Sequence, residues 1–421
     1  MTTRTPWREE TSQDVWGERL RRRLGWLESP LATYYLLLGS TSVLVVLGLV
    51  MVLSASSVQS YMRGGSVFSQ FTNQLMFAVI GLVAAAVFSR LPTPFLKKVA
   101  GIFFLLAAAM QAAVMIPGVG VEVLGNRNWL QVGGLRMQPS EIGKIAMILV
   151  VAVILDNRRA QLYDFKKSVL PTFWFAGLLG GLVMAGRDLG TTMVFAVIYL
   201  GMLWAAGARG SWFAWLGLGI AVLLPVAVMT SGNRTSRIGA WLGGCDAPSD
   251  IDVAACYQKI HGSWALADGG LWGLGPGASR EKWGWLPEAH NDFIFAIIGE
   301  ELGLPGTLAV LALYLVFAYA CYRLIAQSTD MFVRVATAGI MMWICFQAVV
   351  NIGSVLGLLP IVGVPLPLVS AGGSALVMTL VGIGILLSFA RREPRAAEAL
   401  RAKPRLVRRT MAVLPNRKGR S

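Results

Sequence analysis

The sequence predicts an all-α polytopic membrane protein of about ten transmembrane helices, and three observations carry that expectation. Of 421 residues, 55% are hydrophobic and only 14% are charged, against roughly a quarter charged in an average soluble chain. Apolar runs of the ~20 residues needed to cross a bilayer recur along the chain. Basic residues gather in alternate breaks between those runs and in both tails. An ordinary soluble enzyme is excluded, and one membrane domain accounts for the apolar inventory.

Taken in order, the spans fall near 33–54, 73–90, 99–116, 139–155, 168–185, 190–206, 212–230, 304–324, 333–357 and 371–390. The net charge of +15 would suggest nucleic acid in a soluble protein, but here it reports orientation. Residues Arg90, Lys97, Lys98, Arg158, Arg159, Lys166 and Lys167 share a side with both tails, and that side holds 27 of the 37 Lys and Arg. Both termini are therefore expected to be cytoplasmic, which requires an even number of spans. The division is a cytoplasmic tail over 1–32, a membrane domain over 33–390 and a basic cytoplasmic tail over 391–421. The first apolar run follows about 30 charged and polar residues and exceeds a secretory h-region of roughly 7–15, so it is expected to remain as a signal anchor. The proline-containing C-terminal tail reads as a solvated strip against anionic headgroups, with no nucleic-acid partner.

With this topology the longest stretch between spans, 231–303 between the seventh and eighth, lies on the outer side. Connections of this length are uncommon unless functional. Gly269, Gly270, Gly273, Gly275 and Gly277 can form an anion-cradling nest beside Arg280 and Lys282, or simply a flexible turn. Asp292 precedes the apolar FIFAII. Either Asn291 or Asp292 caps a helix, or Asp292 is a carboxylate at a water–lipid boundary whose partial desolvation makes it a better general base. Glu300 and Glu301 lie two turns further on, which suggests that 293–303 is a re-entrant or interfacial piece.

Three further outer stretches carry polar groups. Asn128, Arg127, Gln138, Ser140, Glu141 and Lys144 surround the head of the fourth span, where Glu141 and Lys144 are spaced to neutralise each other on one helix face. Arg187 and Asp188 sit between spans five and six, where one ion pair would hold the hairpin. The Asn351–Ser374 stretch, broken by Pro360, Pro365 and Pro367, reads as non-helical backbone lining a cavity. Cys245 and Cys256 enclose a segment whose charges, Asp246, Asp250 and Asp252, are all acidic; a disulfide is permitted there. The two histidines and four cysteines form no zinc pattern and no CxxC, so no organic cofactor or structural metal is expected.

The segments LPEAHNDFIFAIIGEELG, GNRNWLQVGGLRMQPSEIGK, RDLGTT and NIGSVLGLLPIVGVPLPLVSAGGS together resemble the SEDS family of ten-span cell-wall polymerases over roughly residues 33–395. LSASSV after the first span and the long basic tail are closer to the family's division member than to its elongation member. The resemblance implies a peptidoglycan glycosyltransferase that polymerises lipid II at the outer face of the cytoplasmic (inner) membrane, at the division septum. It places catalysis on Asp292. Lys282, Glu288 and His290 match the family's motif, and with them the substrate-binding candidates of the sequence are Arg280, Arg127, Asn128, Gln138, Ser140, Glu141, Lys144, Asp188, Gln258, Ser263 and Ser370. The resemblance also implies lipid II and the nascent glycan strand as ligands, with Mg2+ or Mn2+ assisting the diphosphate. The implied partners are a class B penicillin-binding protein transpeptidase and other membrane proteins of the division complex. Two departures stand out: Arg187 replaces the usual proline before Asp-Leu-Gly, and Arg280, Glu281, Trp283 and Gly284 replace a commonly Lys/Gln-rich run. A lipid II flippase would need charges through the full depth of the spans, and a non-catalytic scaffold recruiting the transpeptidase would not need Asp292.

Overall fold

The computed structural model describes residues 29–62, 64–123, 125–132, 135–230, 232–243, 245 and 254–402. The expectations for the tails at 1–28 and 403–421 and for Asp246, Asp250 and Asp252 fall outside the described residues.

The chain runs α1 Ala32–Met62, α2 Ser69–Phe88, α3 Thr93–Ala113, then three short strands, β1 Gly120–Val123, β2 Asn126–Val132 and β3 Leu135–Met137. Helices α4 Pro139–Asn157, α5 Val169–Ala185, α6 Leu189–Ala206 and α7 Gly210–Met229 follow. Two helices of the long connection, α8 Gly232–Leu242 and α9 Ala254–Gly269, lead to α10 Ile294–Gln327, α11 Met331–Val355, α12 Gly373–Arg392 and α13 Pro394–Ala402. Among the described residues eight helices, α1, α2, α3, α6, α7, α10, α11 and α12, are long and apolar enough to cross a membrane. The 17-residue α5 is a shorter apolar helix. The protein is thus a multi-pass membrane protein.

Helix α4 stands at a position where the sequence predicts a span, yet it carries Glu141, Lys144 and Asp156. It can do so because it is central: α3, α5 and α11 pack along it, and 14 of its residues are buried. Glu141 and Lys144 are buried away from lipid and satisfy each other, and Asp156 is satisfied by Lys97 on α3. Around this core α12 lies along α2, α10 along α1, and α11 along α6.

Three features differ from the sequence expectation. The fold is not purely helical, because β1, β2 and β3 form an antiparallel sheet ordered β1-β2-β3, with Gly120 opposite Leu130 and Leu130 opposite Met137. The β2 pattern NRNWLQV alternates in a stretch too polar to span, and pairing within the stretch satisfies its backbone. The start of the expected solvated tail is helical as α13. Span eight is part of a 34-residue helix interrupted at Gly303 (φ 65°, ψ −160°), with Pro305 at the start of the continuing segment, where its missing N–H costs nothing.

At the end of the bundle away from the sheet, Lys97 ties three helices together through Asp156 at 2.8 Å and Asp330 at 3.3 Å. Arg334 donates there to the Ala205 carbonyl, and Arg392 to that of Arg90.

Candidate active site at the sheet end of the bundle

Asp292 occupies a turn that the rest of the protein grips by its backbone. Three successive carbonyls accept from one wall: His290 from the Ala371 N–H at 2.9 Å, Asn291 from Ser370 Oγ at 2.6 Å, and Asp292 from Asn351 Nδ2 at 2.8 Å. Asn351 Nδ2 also donates to the Val364 carbonyl, and Ser370 Oγ accepts the Leu366 N–H. Gln74 on α2 completes the clamp, donating to the Ser370 carbonyl and accepting from the Gly372 N–H. The proline-broken stretch 360–370 is therefore irregular backbone packed inside protein, where its polar groups find partners.

The carboxylate itself is not part of this clamp. Helix α10 starts after Phe293 with no side-chain cap, and Asn291 donates instead to Glu288 Oε2. Among the described residues no hydrogen bond to the half-buried Asp292 carboxylate is formed. Burial pushes its pKa up from 3.8 to about 7, aided by the neighbouring Glu288 charge and opposed by Arg237. A carboxyl poised near neutrality with free acceptor atoms is suited to taking a proton.

Arg237 on α8 is the cation beside it. Both converge on one face of Gly363 (φ 78°): a Cβ there would stand 3.4 Å from Asp292 Oδ2 and 3.5 Å from Arg237 Nη1. Arg237 was not among the residues singled out from the sequence. The available signal was its position in the long connection, three residues after Arg234 in a short amphipathic segment.

The glycine-rich segment serves a different purpose from an anion nest for a ligand: its N–H groups bind the protein's own carboxylates. Ser279 Oγ and the Arg280 N–H donate to Glu300, each at 2.6 Å, and the Gly277 N–H donates to Glu301 at 2.9 Å. Gly273 and Gly303 bring the turn backbone against the break in α10, where an added Cβ on Gly303 would lie 2.4 Å from the Gly273 nitrogen. Lys282 Nζ closes the cluster on Glu301 Oε1, Ser54 Oγ and the Gly277 carbonyl. These residues form the polar end of an otherwise apolar groove of about 900 Å3 that runs along α1 past Val43, Val46 and Val50. Arg280 is exposed and lies 3.9 Å from Asp268.

The remaining candidates form separate groups. Lys144 and Glu141 pair at 2.8 Å inside α4, with the ammonium 4.6 Å from the Trp343 ring centroid. Asp188 caps α6 through the Thr191 N–H and Oγ1 and accepts from Gln138 Nε2 at 3.3 Å. It makes no ion pair with Arg187 among the described residues, so the hairpin is held by a cap where an ion pair was expected. Asn128 and Ser140 are buried with side chains that lack hydrogen-bond partners among the described residues. Arg127 donates to the Ile116 carbonyl, Gln258 to that of Pro287, and Ser263 to that of Lys259 within α9. Cys245 and Cys256 form a disulfide. His261, also not singled out, pairs with Glu281 at 2.7 Å against Tyr257 and Trp264, and burial pushes the Glu281 carboxyl up. Among the described residues no group of three or more His, Cys, Asp or Glu side chains is assembled to hold a metal.

The model of the cell cycle protein family FtsW/RodA/SpoVE matches residues 34–395. The chain belongs to this family. A probable peptidoglycan glycosyltransferase FtsW of Mycobacterium tuberculosis is 40% identical over 93% of this chain and 74% of its own. Stage V sporulation protein E of Bacillus subtilis is 34% identical over 83% and 95%. Among solved structures, a chain of a peptidoglycan synthase complex that coordinates polymerization and crosslinking superposes with a TM-score of 0.68 at 24% identity, over 85% of this chain and 97% of its own. The rod shape determining protein RodA of Thermus thermophilus gives 0.63 at 24%, over 86% and 97%. At that identity the likeness establishes an FtsW/RodA fold and nothing further.

Proposed function

We propose that this chain is a peptidoglycan glycosyltransferase that polymerises lipid II into glycan strands at the outer face of the cytoplasmic membrane during division. The observation that carries the reading is Asp292: a half-buried carboxylate, freed of any capping role, on backbone fixed by Asn351 and Ser370. Ionised, it takes the proton from the acceptor sugar hydroxyl. That oxygen forms the new bond to the donor anomeric carbon with inversion, and the bond to phosphate breaks, its electron pair leaving on the undecaprenyl diphosphate. The apolar groove along α1 suits the tail of a lipid-tethered substrate, which stays in the bilayer while the headgroup reacts.

Glu288 is the carboxylate available to a Mg2+ or Mn2+ accompanying the diphosphate, which leaves Asp292 free as the base; such ions commonly take one or two protein carboxylates beside substrate phosphates. When bound, the ion would neutralise diphosphate charge. The names of the relatives support the reaction; a class B penicillin-binding protein transpeptidase as partner at the septum is part of the same proposal. Polymerisation of purified lipid II, with and without that transpeptidase, tests the proposal. Glycan strands are the expected product, and their absence with every partner would favour a scaffold or flippase.

A further inference from the structure

We infer that Arg237 is the phosphate-binding residue of the site, receiving the diphosphate at the face of Gly363 that it shares with Asp292. This rests on the glycosyl-transfer reading for the identity of the anion, but the geometry is independent of it. The cations that the sequence offered for this task are engaged elsewhere. Lys282 Nζ is buried among Glu301, Ser54 and the Gly277 carbonyl; Arg280 points into solvent near Asp268; Arg127 donates to the Ile116 carbonyl. Arg237 is half-buried and has one acceptor among the described residues, the Ile361 carbonyl at 3.4 Å. A guanidinium offers five N–H donors in a fixed fork suited to phosphate, so most of its capacity is uncommitted.

Helix α8 is also fastened in a way that aims this side chain. Arg234, one turn earlier, donates to the Ala227 and Arg187 carbonyls at 2.7 Å each. Trp241 Nε1 donates to the Gly357 carbonyl, Lys259 on α9 donates to that of Ala240, and the Cys245–Cys256 disulfide ties the following segment to α9. Beside Asp292, Arg237 sits where the departing diphosphate oxygen gains charge as the carboxylate accepts the proton, and charge-assisted bonds to that oxygen strengthen as the bond to carbon breaks.

The test is calorimetric titration of the full-length protein in nanodiscs with inorganic diphosphate, in EDTA and at fixed ionic strength. Arg237→Gln is expected to weaken binding roughly 10- to 100-fold, while Arg209→Gln at the opposite end, a control for net charge, leaves it unchanged. Diphosphate should also protect Arg237, and not Arg209, from phenylglyoxal in the wild-type protein, a measurement that needs no variant to fold. Wild-type protein that binds no diphosphate, Arg237→Gln affinity within twofold of wild type, or absence of protection would each overturn the inference. Polymerisation is scored separately. Binding lost in Arg237→Gln while the wild type makes no glycan leaves the anion site standing and removes the reaction; polymerisation by a wild type whose Arg237→Gln variant binds normally does the reverse.

Discussion

Lys282 and Glu301 form an ion pair at 3.0 Å, with side chains 5% and 1% exposed, that joins the glycine-rich loop to the break in α10. Removing one member leaves an uncompensated buried charge. Lys282→Met is therefore expected to destabilise the protein by about 3–5 kcal/mol, and adding Glu301→Gln, which removes the charge and keeps an acceptor for the Gly277 N–H, should restore part of the loss. Thermal melts of the two variants in one detergent check this. A Lys282 that served only substrate would leave the melting temperature unchanged.

Gly303 combines a left-handed φ with the Gly273 backbone in the space a side chain needs. Gly303→Ala meets roughly 1–3 kcal/mol of backbone strain before the clash is counted. The expected outcome is a sharply lower yield of folded protein, read by size-exclusion chromatography, whereas Gly275→Ala, which has open space, meets only the strain of its positive φ.

The pH dependence has two opposite signs. A carboxyl with its pKa at about 7 is a competent base only when ionised, so turnover should rise with pH through about 7 and level off above it. Stability runs the other way. Because the folded pKa is raised above 3.8, the contribution of the protonated form is full below that value and is lost as pH rises through about 7. Asp292→Asn should accordingly melt at a higher temperature than wild type above pH 7, with the difference closing towards pH 4.

Asn351 bonds the Asp292 and Val364 carbonyls with one amide nitrogen. Asn351→Leu leaves both unpaired, at about 1–3 kcal/mol each, and frees the turn carrying the carboxylate. A displacement of ~1 Å at a reacting group can cost 10²-fold. kcat is therefore expected to fall by about that factor, with KM little changed, in a steady-state polymerisation assay.

Much of the fold was legible because membrane spans have a length and composition that water-soluble helices lack, and the positions of all ten apolar runs recur as helices. Even the charged α4 was recovered, since its apolar run continues past Glu141 and Lys144. The sheet was missed because three strands of seven residues or fewer give little periodicity amid polar loop residues. At the site, Asp292 stood out as a charge against an apolar run. Arg237 did not, since only the folding of the Gly232–Leu242 helix back against Gly363 brings it near. Lys282 misled for a related reason: its sequence neighbours are glycines that look ready for an anion, while its partner Glu301 lies 19 residues further on and Ser54 lies 228 residues back.

The central claim is that Asp292 takes the acceptor proton, and the most direct measurement is the single-turnover rate of lipid II coupling as a function of pH for wild type and Asp292→Asn. The variant should be folded and lipid II-bound yet slower by at least about 10²-fold, the scale of a lost general base, with the wild-type rise through pH 7 abolished. An Asp292→Asn enzyme that couples lipid II at the wild-type rate, or that keeps the same pH profile, would contradict the account.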